Sequence, residues 1–134
     1  AEIDLISLGG TVRPHSLAMI GPLTVAGLDR LHADVVFLGA TGAEPDRGLC
    51  TPNLIEAETK AAMVRSATRR VALVDHDKIG EASLAPFCGW NDVDVLITDV
   101  PVPERFARRL AANAVELVLA EGSWQDAAPR TKHD

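Results

Sequence analysis

The sequence predicts an α/β domain: a parallel-type sheet with flanking helices. Short apolar runs rich in Val, Ile and Leu recur along the 134 residues. They alternate with stretches whose apolar residues fall at helical spacing. Apolar residues make up 47% of the chain, yet aromatics are 4% and tyrosine is absent. The core must therefore be built from Val, Leu, Ile and Ala, which suits a sheet covered by helices better than an all-β sandwich. Glycines stand directly after several apolar runs, where a chain leaving a strand needs unusual backbone angles. A chain of this length forms one domain with a core of its own.

Taken in order, Ile3–Leu8 reads as a first, buried strand that ends at Gly9-Gly10. A loop with Arg13, Pro14 and His15 follows, and then a short apolar piece, Leu17–Ile20, of open type. Gly21-Pro22 starts a helix running to about Leu31, with Pro at an early position where its missing N–H costs nothing. Leu23, Leu28 and Leu31 should face inward. Val35–Leu38 is the second strand, joined to the first by a parallel crossover through the helix. Residues 39–50 read as a long polar loop, with Glu44-Pro45-Asp46-Arg47-Gly48 as turn material. The next helix runs from Pro52 or Leu54 to about Thr68 and buries Leu54, Ala57, Ala61, Val64 and Thr68. Asn53 with Glu56 resembles a capping box, and Thr51-Pro52 is a competing start. Val71–Val74 is the third strand. Glu81 to Trp90 is weakly patterned, since Pro86 and Gly89 argue against a long helix. Val93–Thr98 is the fourth strand and Asp99 closes it. Pro101 and Pro103 introduce a helix from Glu104 to about Asn113, with Phe106 and Leu110 inward and Arg105, Arg108 and Arg109 outward. Val115–Ala120 is the last strand, and residues 123–134 are expected to be a disordered tail.

Several function classes are disfavoured. With a net charge of −6, the chain is ill suited to grip phosphate backbones by itself. No apolar run approaches the roughly 18 residues of a membrane span, and no signal peptide precedes the first apolar run, so a cytoplasmic setting is expected. Cys50 and Cys88 are far apart without a CxxC partner, which points to idle thiols. His76 has no second histidine at ligand spacing, so no metal is expected, and no cofactor motif is present. Ser-His-Asp and HExxH patterns are also lacking.

The residues that could meet a ligand gather at predicted strand ends, the edge where open α/β sheets bind small molecules. Gly39-Ala40-Thr41-Gly42 is either a tight strand exit or a loop whose backbone approaches a ligand. Thr51 stands at a helix start, as a plain cap or as part of an anion site. Glu58 borders the predicted buried stripe and could accept ligand hydroxyls, or be a solvated helix residue. Glu56 points the opposite way and pairs with Lys60 as an ordinary surface couple. Asp75 and Lys78 follow the third strand directly; a lysine there suits a phosphate or carboxylate, or the loop is charged for solubility alone. Arg13 would bind an anion or form a structural ion pair.

A set of short motifs then resembles a known family. Leu8-Gly9-Gly10-Thr11-Val12-Arg13, Ser16-Leu17, Gly21-Pro22 and Phe37-Leu38-Gly39-Ala40-Thr41-Gly42 are its first half. Gly48-Leu49, Thr51-Pro52, Glu56-Ala57-Glu58 with Lys60 and Met63, Asp75 with Lys78 and Gly80, and Asp94 with Leu96-Ile97-Thr98-Asp99 are its second. Together, over residues 3 to 120, they resemble the effector-sensing domain of DeoR-family bacterial transcriptional regulators.

The resemblance implies a fold related to ribose-5-phosphate isomerase and the CoA transferases. It implies a phosphorylated sugar or similar anionic metabolite as signal, a homo-oligomer, and operator DNA contacted only through an N-terminal helix-turn-helix absent from this chain. The family's sensing domain usually begins with an earlier strand and a Gly-Thr-rich phosphate loop. The chain is thus similar to its distal portion, residues 1–122 forming a partial sensing domain. Ligand contacts implied are Arg13, Gly39, Thr41, Gly42, Thr51, Glu58, Asp75 and Lys78. The related isomerases carry acidic residues in the loop matching Gly39–Gly42, and here Leu38 and Thr41 stand near those places. Binding without catalysis is the expectation. A sugar-phosphate isomerase-like enzyme is the alternative, with Glu58 its one fair candidate base.

Overall fold

The computed structural model describes residues 2–120. Its centre is a parallel sheet of four strands in the order β3-β6-β8-β9: β3 (Ala33–Gly39), β6 (Ala67–Leu73), β8 (Val95–Thr98) and β9 (Glu116–Leu119). Leu38, Ala72, Leu96 and Leu117 stand in register across it. On that face Val36, Leu38, Ala72 and Leu96 are buried, and they share one core with Phe106 and Leu110 of helix α3 (Glu104–Ala112). On the opposite face Phe37 is 62% exposed and Leu73 47%.

A second layer was hidden in what reads as loop. Strands β4 (Gly42–Glu44), β5 (Gly48–Thr51) and β7 (Ala85–Cys88) form a three-stranded antiparallel sheet. Residues 39–50 and the weakly patterned 81–90 therefore carry strands, contrary to the expectation for both. Ala43, Leu49, Ala85, Phe87 and Cys88 add this layer to the same core. Trp90 is the tie: its indole donates to the Glu44 carbonyl at 2.7 Å and its ring meets Phe106 edge-on at 5.3 Å.

Helix α2 (Leu54–Ser66) links β5 to β6. Asn53 caps it, accepting from the Glu56 N–H at 2.8 Å, so the Asn53 start is the one realised. Its buried positions are Ala57, Thr59, Ala62 and Val64, while Leu54 is exposed. The expected stripe was displaced because α2 packs against β3, β5, β7 and helix α1 (Pro22–Leu28), which crowd more than one of its sides. In α1 the inward residues are Thr24 and Leu28; Leu23 and Leu31 are exposed.

The expected first strand does not form. Ile3, Leu5 and Ile6 are exposed and join no sheet among the described residues. The chain instead makes a small hairpin of β1 (Thr11–Val12) with β2 (Met19–Ile20). The reason is physical: an apolar run has strand propensity, but a strand exists only where a neighbour pairs with it. The first parallel crossover accordingly joins β3 to β6 through α2. The tail expected at 123–134 lies outside the described residues.

Candidate functional site

The carboxyl ends of β3 and β6 lie side by side, since Gly39 pairs with Leu73. Side chains converge on this edge from the β1–β2 hairpin, from α2 and from the 3₁₀ turn after β6. Lys60, one turn after Glu56 on α2, donates from Nζ to the Gly39 carbonyl at 2.7 Å and lies 5.2 Å from the Phe87 ring centroid. Glu56 sits between two cations, with Oε1 3.5 Å from Lys60 Nζ and Oε2 3.4 Å from Arg13 Nη1. Burial depresses the pKa of Lys60; Glu56 opposes that shift, and the nearby charge of Lys78 adds to it. A desolvated ammonium under such pressure gains most from an added negative charge.

Asp75 and Lys78 stand at the exit of β6. Their ion pair spans 3.6 Å, and Asp75 Oδ1 is buried with no hydrogen-bond partner among the described residues. Thr51, the last residue of β5, is fully buried, and its Oγ1 likewise has no partner among them. Next to Asp75, at the exits of β6 and β8, His76 Nδ1 lies 2.7 Å from Asp99 Oδ2, and the His76 N–H donates to Asp99 Oδ1 at 2.8 Å.

Of the residues singled out in the sequence, Arg13, Gly39 and Lys78 lie with Lys60 at this edge. Gly42 opens β4, where a Cβ would collide with the Glu81 carbonyl, so close backbone packing explains this glycine. Thr41 is exposed, and its N–H is engaged by the Cys50 carbonyl at 3.0 Å. Glu58 is turned elsewhere. It is exposed and lines a cleft of about 460 Å³ between α1 and α2 with Pro22, Val25, Ala26, Ala61 and Arg65. Another cleft, of about 240 Å³, lies between Pro45-Asp46 and α3. Its arginines are already paired, Arg105 and Arg109 with Asp46 at 2.8 and 3.1 Å, and Arg108 with Glu104.

Sequence reading passed over Glu56 and Lys60 as a surface couple. The available signal was their i,i+4 spacing with Glu56 at the third helical position; what sets them at this edge is the antiparallel layer that brings Phe87 against Lys60. Among the described residues no group of three or more His, Cys, Asp or Glu could hold a metal ion, and no helix is long and apolar enough to cross a membrane.

An open parallel sheet flanked by helices, with partly buried cations at its carboxyl edge, defines the class: an α/β domain, a kind of fold whose open sheets generally bind ligands beyond their strand ends. Sequence comparison narrows it. The family model described as the DeoR C terminal sensor domain matches residues 1–100, and the chain belongs to that family. It is 36% identical over 91 residues to the HTH-type transcriptional regulator GlpR of Haloferax volcanii, covering 68% of this chain and 36% of that protein. It is 30% identical over 120 residues to the HTH-type transcriptional regulator GolR of Listeria innocua, covering 90% and 47%. Against the Glycerol-3-phosphate regulon repressor of Escherichia coli the identity is 27% over 118 residues, covering 88% and 47%. The chain thus spans less than half the length of each of these regulators.

Proposed function

We propose that this sensor domain binds a phosphorylated sugar or a similar small anionic metabolite at the carboxyl ends of β3 and β6. The observation that carries the reading is Lys60: a partly buried ammonium anchored on the Gly39 carbonyl, with Arg13 and Lys78 close by in an otherwise acidic protein. Lys60, Lys78 and Arg13 supply positive charge to the anionic group. Asp75, with its unpartnered oxygen, accepts ligand hydroxyls, and the buried Thr51 hydroxyl is a further donor once the site rearranges around its ligand. Gly39 permits close backbone approach, since nothing lies within 4 Å of where a Cβ would sit there, and Thr41 forms the exposed lip; Gly42 is taken up by packing against the Glu81 carbonyl. Glu58 has no part in this site, because it faces the α1–α2 cleft. The name of the Escherichia coli relative, which refers to glycerol 3-phosphate, agrees with a phosphorylated polyol as signal.

In the whole protein, ligand occupancy shifts a population between arrangements that hold operator DNA and arrangements that do not, through a helix-turn-helix outside this chain. The relatives are named as regulators and none as an enzyme, which supports sensing over turnover. Thermal-shift titration tests the binding claim. Ribose 5-phosphate and glycerol 3-phosphate should raise the melting temperature where free ribose and glycerol do not, and Lys60→Met should abolish the shift. A shift produced by the unphosphorylated compounds alone would overturn it.

A further inference from the structure

Glu56 is out of place in a site built for anions. It is the acid nearest Lys60 and Arg13, its side chain is only 17% exposed, and it stands in contact with both cations at once. Carboxylates normally take hydrogen bonds from such cations at about 2.7–2.9 Å, whereas Glu56 holds Arg13 and Lys60 at 3.4 and 3.5 Å. The short bond of Lys60 goes to the Gly39 carbonyl instead. The Glu56 carboxylate is therefore a loose counter-anion: near enough to neutralise two charges, not near enough to saturate them.

We infer that Glu56 sets the ligand specificity of the site as an internal competitor, so that only an anion able to displace a carboxylate from both Arg13 and Lys60 is accepted. This rests on the proposed anion site. The competition follows from charge. A singly charged carboxylate ligand offers Arg13 and Lys60 nothing that Glu56 does not already supply, and it forfeits the advantage of a tethered group. A phosphate dianion carries twice the charge and presents three oxygens, enough to engage both cations at short distance while Glu56 swings to solvent. The helix tolerates that movement, because the Asn53 cap binds the main-chain N–H of Glu56 and makes no use of its side chain. A device of this kind keeps a sensor silent toward the abundant singly charged acids.

The test is calorimetric titration of the protein with inorganic phosphate and, separately, acetate in mildly alkaline buffer. Wild type, Glu56→Gln, Glu56→Ala and Lys60→Met are compared, with thermal melts as a control on folding. Both Glu56 variants should bind phosphate about tenfold more tightly than wild type, equivalent to about 1.4 kcal/mol. They should also acquire acetate binding that wild type lacks, while Lys60→Met binds neither. If phosphate binding is unchanged or weaker in both Glu56 variants yet lost in Lys60→Met, the anion site stands and Glu56 is no competitor. Should wild type and the Glu56 variants all fail to bind phosphate, the competitor proposal falls together with the site it rests on.

Discussion

His76 and Asp99 clamp the exits of two neighbouring strands, and their ionisation is coupled. The hydrogen bond to Asp99 raises the His76 pKa above its ordinary 6.5, against a smaller opposing effect of burial, and the charges of Asp77, Asp99 and Asp75 add to the rise. For Asp99, burial pushes upward, but hydrogen bonds from the His76 ring and N–H outweigh it and hold the pKa below 3.8. The signs decide the window. The raised histidine adds stability that is complete below 6.5 and is lost as pH climbs through its folded value. The depressed aspartate adds stability that is complete above 3.8 and is lost as pH falls through its folded value. The clamp is thus strongest in mildly acidic solution. An NMR titration of the His76 ring should give a midpoint above 6.5 that moves back toward it in Asp99→Asn; an unmoved midpoint would dissolve the pair. At this scale the sequence was partly legible. The opposite directions of Glu56 and Glu58 follow from helical rotation alone. Which of the two lies at the strand exits depends on the antiparallel layer that sets Phe87 against Lys60, and no local pattern reports that.

The antiparallel layer makes its own demands. Gly48 opens β5 at φ 85°, and a Cβ there would run into the Cys88 carbonyl of β7. Gly48→Ala should therefore cost about 1–3 kcal/mol, the usual range for forced overpacking, with left-handed backbone strain added. Gly39→Ala is the contrast, since Gly39 is not among the positive-φ glycines and nothing lies within 4 Å of where its Cβ would sit. Urea melts of the two variants check this, and equal midpoints would contradict it. Elements of this kind explain why the fold was only half readable. β6, β8, β9, α2 and α3 carry long runs or clear helical spacing, and they formed where expected within a few residues. β5 is buried at all four positions and shows no alternation to read. β4 spans three residues, too few for a period. Ile3–Leu8 shows the converse failure, a convincing strand pattern whose pairing partner local sequence cannot supply.

Across the molecule the two sheets are not independent, because one core serves both. Phe106 and Leu110 of α3, Leu38 and Leu96 of the parallel sheet, and Leu49 and Phe87 of the antiparallel one belong to a single buried cluster, and Trp90 bonds to β4 while touching Phe106. Removing Phe106 should therefore weaken both layers together. For Phe106→Ala, at 1% exposure, the expected loss is about 3–5 kcal/mol, a large part of the roughly 5–15 kcal/mol that holds a domain. The buried thiols report on the antiparallel layer. Cys50 lies in β5 and Cys88 in β7, both free, and burial raises both pKa values, that of Cys88 to about 12. Thiol labelling should therefore stay slow until the layer opens. Far-UV circular dichroism meanwhile follows the helices and the parallel sheet. If the core is shared, labelling and dichroism rise at the same urea concentration in the wild type and shift downward together in Phe106→Ala. Labelling that ran ahead of the dichroism would mean that β4, β5 and β7 open as a separate flap. The Phe87 wall beside Lys60 would then belong to a moving part.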